Sequence, residues 1–196
     1  MHAYATDSNE RRSVPLLLAI ASVLCALALN RLQIVAQFQL PWWIDAPSVV
    51  GFYALFYAIF DNCLWRMPIL RKIGIVNLPD LRGKWKGHIA SSLDGHASQH
   101  GTTVNIRQSW SRASIELWTE TSESKSLSAT VLTENRNAIE ISYEYLNEPK
   151  ADAAKTMHTH RGTTRLTLSP DRRKLEGAYY TGRDRQSFGV LSVGRS

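Results

Sequence analysis

Hydrophobic residues follow two different rhythms along this chain: continuous runs before Pro68, and alternation with polar residues after Leu81. The first run, Val14 to Leu29, reads VPLLLAIASVLCALAL without a charge. At about 1.5 Å per residue it spans roughly 24 Å. Extension toward Ala36, with Asn30 and Arg31 reaching the headgroups, would complete a crossing of the hydrocarbon core. The second run, Val49 to Trp65, reads VVGFYALFYAIFDNCLW, and Trp42, Trp43 and Trp65 suit the aromatic belts of a membrane interface. The pattern predicts an N-terminal tail over residues 1–13 and two transmembrane helices within residues 14–66. A basic-apolar connector at the membrane surface follows over residues 67–80. Arg11 and Arg12, with Ala26-Leu27-Ala28 further on, also fit a cleavable signal peptide.

From residue 81 the period becomes two, which is the signature of half-buried strands. Candidate strands are Arg82–Ala90, Thr103–Trp110, Ser114–Thr121, Ser126–Thr133, Ala138–Leu146, Met157–Ser169, Lys174–Thr181 and Ser187–Gly194. Asp94-Gly95, Asn135-Arg136-Asn137, Asn147-Glu148-Pro149 and Ser169-Pro170-Asp171 read as turns between them. Short strands with tight turns imply an antiparallel up-and-down meander that closes into an eight-stranded β-barrel, which leaves no exposed edge. The expected fold class is therefore membrane α plus all-β, with the barrel over residues 81–196. Gly83-Lys84-Trp85 resembles the Gly-x-Trp opening of lipocalin-like barrels, in which the Trp plugs one end.

Charge and chemistry narrow the functional classes. Lys and Arg exceed Asp and Glu by enough to give a net charge of +6, which suits an anionic membrane surface or a phosphate-bearing ligand. Both cysteines, Cys25 and Cys63, lie in the apolar runs, so a disulfide framework is not expected. Arg11 and Arg12 before the first span, and Arg66, Arg71 and Lys72 after the second, put both termini in the cytoplasm by the positive-inside rule. Asp61 is either an intramembrane functional carboxylate or a group reaching the interface. Small residues recur at helical spacing, Ala19, Ser22 and Ala26 and then Gly51, Ala54 and Ala58, which allows close packing within the hairpin or between protomers.

Catalytic signatures are missing: there is no P-loop, Gly-x-Gly-x-x-Gly, His-Glu-x-x-His or Gly-x-Ser-x-Gly. His158 and His160 share a strand face but lack further ligands nearby, so neither a metal nor a cofactor is expected. The suggestive runs interleave aromatics with arginines: Gly177 to Arg185, and Arg107 to Arg112. Guanidinium forks suit phosphates and aromatic faces stack on bases.

The order of several fragments resembles a known family. They are Pro41-Trp42-Trp43, Asp45-Ala46-Pro47-Ser48, Gly51-Phe52-Tyr53, Leu81-Arg82-Gly83-Lys84-Trp85-Lys86-Gly87 and Gln108-x-Trp110-Ser111. Tyr143-x-Tyr145-x-Asn147-Glu148-Pro149, His160-x-Gly162 and Gly177-x-Tyr179-Tyr180-Thr181-Gly182-Arg183 complete the set. Together with the preceding spans they resemble the two-transmembrane, β-strand-rich effectors of bacterial cyclic-oligonucleotide anti-phage defence (CBASS). The resemblance implies a non-enzymatic effector of the bacterial inner membrane. A partner CD-NTase synthase would make a cyclic dinucleotide that binds the barrel. Homo-oligomers would then disrupt the membrane lipids, and no DNA or RNA polymer is involved.

Within the matching motifs, side-chain chemistry selects Arg107 and Arg183 for phosphate, Trp110, Tyr145 and Tyr179 for base stacking, and His160 and Thr181 for hydrogen bonds. Strand alternation sets Val104, Ile106, Gln108 and Trp110 on one face and turns Arg107 to the other, so a regular barrel cannot aim both Arg107 and Trp110 at one ligand. Competing readings are a lipid-acting enzyme with His158 or His160 as base, and a membrane-anchored lipocalin-like carrier.

Overall fold

A computed structural model describes residues 1–37, 48–135, 138–153, 157–183 and 185–196. The expected interfacial Trp42 and Trp43, and the turn residues Arg136 and Asn137, lie outside the described residues. The chain forms two compact units, Asn9–Asn77 and a second made of Met1–Ser8 with Leu78–Ser196.

The helical unit contains α1 (Glu10–Ala36), α2 (Ser48–Asn62), a 3-10 turn at Leu64–Arg66 and a short α3 (Pro68–Lys72). Pro68 opens α3 at a position where a missing N–H costs nothing. With 27 residues and an apolar sequence, α1 is long enough to cross a membrane, whereas α2 is an apolar helix of 15 residues. At about 1.5 Å per residue α2 covers only roughly 22 Å. The two pack together. The covered face of α1 carries Val14 and Ser22, and the less exposed face of α2 carries Phe52, Phe56 and Phe60. Gly51, Ala54 and Ala58 of α2 are exposed, so the small-residue stripe of this helix is not what meets α1. The Asn77 amide donates to the Glu10 carboxylate at 2.6 Å and stitches the end of the connector to the first turn of α1.

The barrel strands are β3 (Gly83–Ser91), β4 (Gln99–Gln108), β5 (Arg112–Trp118), β6 (Ser122–Leu132), β7 (Glu140–Pro149), β8 (His160–Leu168), β9 (Lys174–Thr181) and β10 (Phe188–Arg195). Each pairs antiparallel with its sequence neighbour, and β10 pairs with β3 from Gly189↔Ser91 to Arg195↔Trp85. This is the closed meander expected from the alternation. One turn is displaced: Asn147-Glu148-Pro149 is the end of β7, where Pro149 pairs with Ser122, and the chain turns after it. Proline is tolerated there because it ends the ladder and the next amide, Lys150 N, makes the bond to the Thr121 carbonyl.

The inward positions change character along β6, β7 and β8. On β7 they run Ile141, Tyr143, Tyr145, Asn147, and on β8 in reverse, Leu168, Leu166, Thr164, Gly162, His160. On β6 they run from Val131 and Ala129 to Ser126, Ser124 and Ser122. One end of the interior is therefore apolar and filled, and the other is polar. Trp85, wholly buried, closes the apolar end, with its indole N–H bonded to the Leu81 carbonyl at 2.9 Å and the Arg195 guanidinium 5.2 Å from its ring centre. Gln108 beside it accepts from the Leu81 amide at 2.9 Å and donates to Pro79.

Residues 1–13, a tail in the sequence reading, divide between the two units. Two short strands, β1 (His2–Ala3) and β2 (Ala5–Thr6), belong to the barrel unit: β1 pairs with β5 and β2 runs parallel to β6. Tyr4 between them is buried and its hydroxyl meets Gln108 at 3.3 Å.

Candidate functional site

The polar end of the barrel interior opens as a cavity of about 350 Å³, within the range of small-ligand sites. Its walls come from all eight strands, β3 to β10, and the hairpin tips that join them. Tyr143, Tyr145 and Tyr179 supply its aromatic rings, with Thr164 between Tyr143 and Tyr179, Asn147 and His160 pair across β7–β8, and Arg185 reaches in from the β9–β10 loop. Among the described lining residues Arg185 is the one lysine or arginine. Asp94 and His100, 3.9 Å apart, sit at the rim.

Two glycines let the tyrosines lie against the wall. Gly162 pairs with Tyr145 across β7–β8, and a methyl group there would overlap the Tyr145 phenol and the Tyr180 carbonyl. Gly189 pairs with Tyr179 and serves that ring in the same way. Burial pushes the Tyr143 phenol up to about 12, with a Thr164 hydrogen bond opposing the rise. Burial also raises Tyr145, as do its neighbours Tyr143 and Tyr179, while the Arg185 charge draws it down. The cavity thus presents neutral phenols beside a guanidinium. His160 donates from Nδ1 to the His158 carbonyl at 2.8 Å.

The loops at the mouth are stapled by one repeated device. Thr181 donates its hydroxyl to the Ser187 carbonyl at 2.9 Å and accepts from the Ser187 amide at 2.7 Å. Thr119 and Ser122 make the equivalent pair at the β5–β6 tip, and Lys150 Nζ caps that tip through the Thr119 and Glu120 carbonyls. These bonds hold Arg185 and the tip in place.

Of the residues singled out from sequence, Tyr145, His160, Tyr179 and Thr181 converge on the cavity. Thr181 does so with its hydroxyl engaged by Ser187. Trp110 is buried beyond the far end of β4, outside the lining. Arg107 points outward and pairs with Glu116 on β5, as the alternation requires. Arg183 is exposed and also outside the lining, two residues from the arginine that does enter. Asn147 was legible as the next inward position after Tyr145, whereas the choice between Arg183 and Arg185 rests on loop geometry that no periodicity encodes. His158 is exposed while His160 is buried, so the pair does not converge. No group of three or more metal-ligating side chains occurs among the described residues.

Comparison with known proteins adds a family to this geometry. Residues 76–195 match the family model described as Cap15, cyclic dinucleotide receptor domain, and residues 12–66 match Cap15, TM helices. The chain is 31% identical over 153 residues to CD-NTase-associated protein 15 of Yersinia aleksiciae, covering 76% of this chain and 69% of that protein. With CD-NTase-associated protein 15 of Staphylococcus schleiferi it shares 28% identity over 141 residues, 71% of this chain and 74% of the other.

Proposed function

Because the chain belongs to the Cap15 family, we propose that it is a cyclic dinucleotide receptor acting as an inner-membrane effector of cyclic-oligonucleotide anti-phage defence. The observation that carries the reading is the polar end of the barrel, where Tyr145 and Tyr179 lie beside Arg185. A cyclic dinucleotide offers two flat bases and two phosphodiesters. Aromatic stacking suits the bases, at about 1–3 kcal/mol each, and a guanidinium suits a phosphodiester. Asn147 and His160 are placed to meet base edges. Arg107, Trp110 and Arg183 drop out of the proposed contact set, and Arg185 and Asn147 enter it. The net charge of +6 favours capture of a dianion. No step in this function calls for a catalytic group.

The membrane arrangement follows from connectivity. Met1–Ser8 and the barrel belong to one compact unit, so they share one side of a bilayer. A crossing by α1 then requires a return crossing before Leu78. This supports two spans with both termini on the same side, and the charge rule makes that side the cytoplasm. In this reading the messenger drives protomers to assemble and the clustered helices compromise the membrane.

The test is titration of the full-length chain in detergent with a panel of cyclic dinucleotides, followed by chemical crosslinking at saturation. Saturable binding and larger crosslinked species are expected. Binding without any change of size would refute the effector step, and no binding by any messenger would refute the receptor.

A further inference from the structure

The seam between β5 and β6 is closed by the N-terminus of the chain itself. The two strands pair directly at only three positions, from Glu116↔Lys125 to Trp118↔Glu123. Beyond Glu116↔Lys125 they part, next to the point where the β6–β7 register shifts between Ser126 and Ser128. Arg112 and Ala113 turn to Ala3 and His2, and Thr130 and Val131 turn to Ala5 and Thr6. The same hairpin, where it is paired, supplies Leu117, Thr119, Ser122 and Ser124 to the cavity wall. In the other direction the segment runs from Asp7 through only two residues into α1 at Glu10. One short element therefore pairs with the strands of the cavity hairpin and continues in sequence, through Ser8 and Asn9, into the membrane helix.

Its attachments include two ladders of two residues, a 2.7 Å bond from the His2 ring to the Ser126 hydroxyl, the Tyr4 side chain, and a clasp at Asp7. In that clasp the Asp7 carboxylate accepts the Thr133 amide at 2.8 Å, the Thr133 hydroxyl at 3.0 Å and the Glu134 amide at 2.9 Å. Short edge elements of this kind open at the low end of a protein's stability range. A competing arrangement is built in: continued antiparallel pairing of β5 with β6 in the same register would set Ala113 and Arg112 opposite Ser128 and Ala129 and satisfy the β5 groups that β1 now holds. A ligand that touches the hairpin in only one of two arrangements shifts the balance between them.

We propose that residues 1–7 are a releasable strap, seated in the empty barrel and expelled when a messenger draws the β5–β6 hairpin inward and lets the strands zip. Expulsion frees the segment that leads into α1 and licenses assembly. The inference rests on the receptor reading above and adds its route to the membrane.

The experiment uses full-length protein reconstituted in vesicles, with Cys25→Ser and Cys63→Ser and new cysteines at Ala3→Cys and Arg112→Cys, a paired and outward-facing couple. A short bis-maleimide bridges them. The bridged protein should bind cyclic dinucleotide about fivefold or more weakly than the unbridged one, and messenger-driven assembly should be lost even at saturation. Hydrogen exchange of residues 1–7 in the unbridged protein should accelerate about tenfold or more at saturating messenger. Full assembly of the bridged protein, or unchanged protection of residues 1–7, overturns the strap and leaves the receptor standing. Failure of the unbridged protein to bind overturns both. Asp7→Asn, which weakens the clasp without a crosslink, should lower the messenger concentration for half-maximal assembly by about fivefold or more; no shift counts against the strap.

Discussion

Replacing Arg185 with alanine separates this site from the one that sequence pattern suggested. The guanidinium is half-buried at the cavity mouth and is the cation that acts on Tyr145. A hydrogen bond to a charged group contributes about 1.5–3 kcal/mol when its partner is removed. Partial exposure and salt screening hold this site to the lower part of that range, about 1.5–2 kcal/mol. At about 1.4 kcal/mol per decade, the Kd for the messenger should rise about 10–30-fold. Arg185→Lys should recover part of the loss, because charge is kept while the planar fork is not. Arg183→Ala should change Kd by less than about threefold, since that side chain is exposed and outside the lining. Arg107→Ala should be equally mild, its charge already paired with Glu116 on the outer surface. The assay is calorimetric titration of the full-length chain in detergent at about 0.15 M salt, where surface charges are screened beyond about 8 Å. An Arg185→Ala protein that binds within threefold of the parent, or an Arg183→Ala protein that loses as much, would refute the assignment.

Gly162→Ala forces a methyl group into the Tyr145 phenol and the Tyr180 carbonyl. It should cost about 1–3 kcal/mol of stability through overpacking and weaken messenger binding more than tenfold. Gly101→Ala, which meets nothing within 4 Å, is the control that should leave both unchanged. Trp85→Ala empties the plugged end and should cost about 3–5 kcal/mol, read as a fall in the barrel's thermal transition. Trp85→Phe should lose less, retaining the aromatic volume but not the bond to Leu81. Because the folded Tyr143 phenol lies near 12, above the ordinary value of 10, its contribution to stability is complete below pH 10. It is lost as pH rises from about 10 to about 12. Absorbance at tyrosinate wavelengths should show Tyr143 and Tyr145 silent at pH 10.5, and Tyr143→Phe should flatten the alkaline loss of stability. Depressed Asp7 behaves in the opposite sense. Burial raises its carboxyl, but the Glu134 and Thr133 amides and the Thr133 hydroxyl hold it below the ordinary value. Its contribution is therefore present above the ordinary carboxylate range and fades as pH falls through it, which limited proteolysis at residues 1–7 should report.

Much of this protein is written in local pattern. The uncharged run Val14–Leu29 makes the middle of α1 apolar on every side, and strict alternation over short segments separated by turn residues has one economical closure. The helices, the eight strands and the meander therefore followed from periodicity alone. So did the outward aim of Arg107, because a period of two assigns faces without any knowledge of partners. What periodicity does not carry is height along the barrel. Tyr145 and Trp110 look equivalent as inward aromatics, yet the strand register puts one at the open polar end and the other beyond the end of β4, outside the cavity. Only that register aligns Asn147, His160 and the serines of β6 into one polar layer, and only the folded β9–β10 loop turns Arg185 inward and leaves Arg183 in water. The N-terminal strand was invisible for a related reason. Met1 to Asp7 is too short to show a period, and its pairing is decided by where β5 and β6 part, more than a hundred residues away. Local periodicity determines which residues form strands and helices; contacts distant in sequence determine which of them meet at the site.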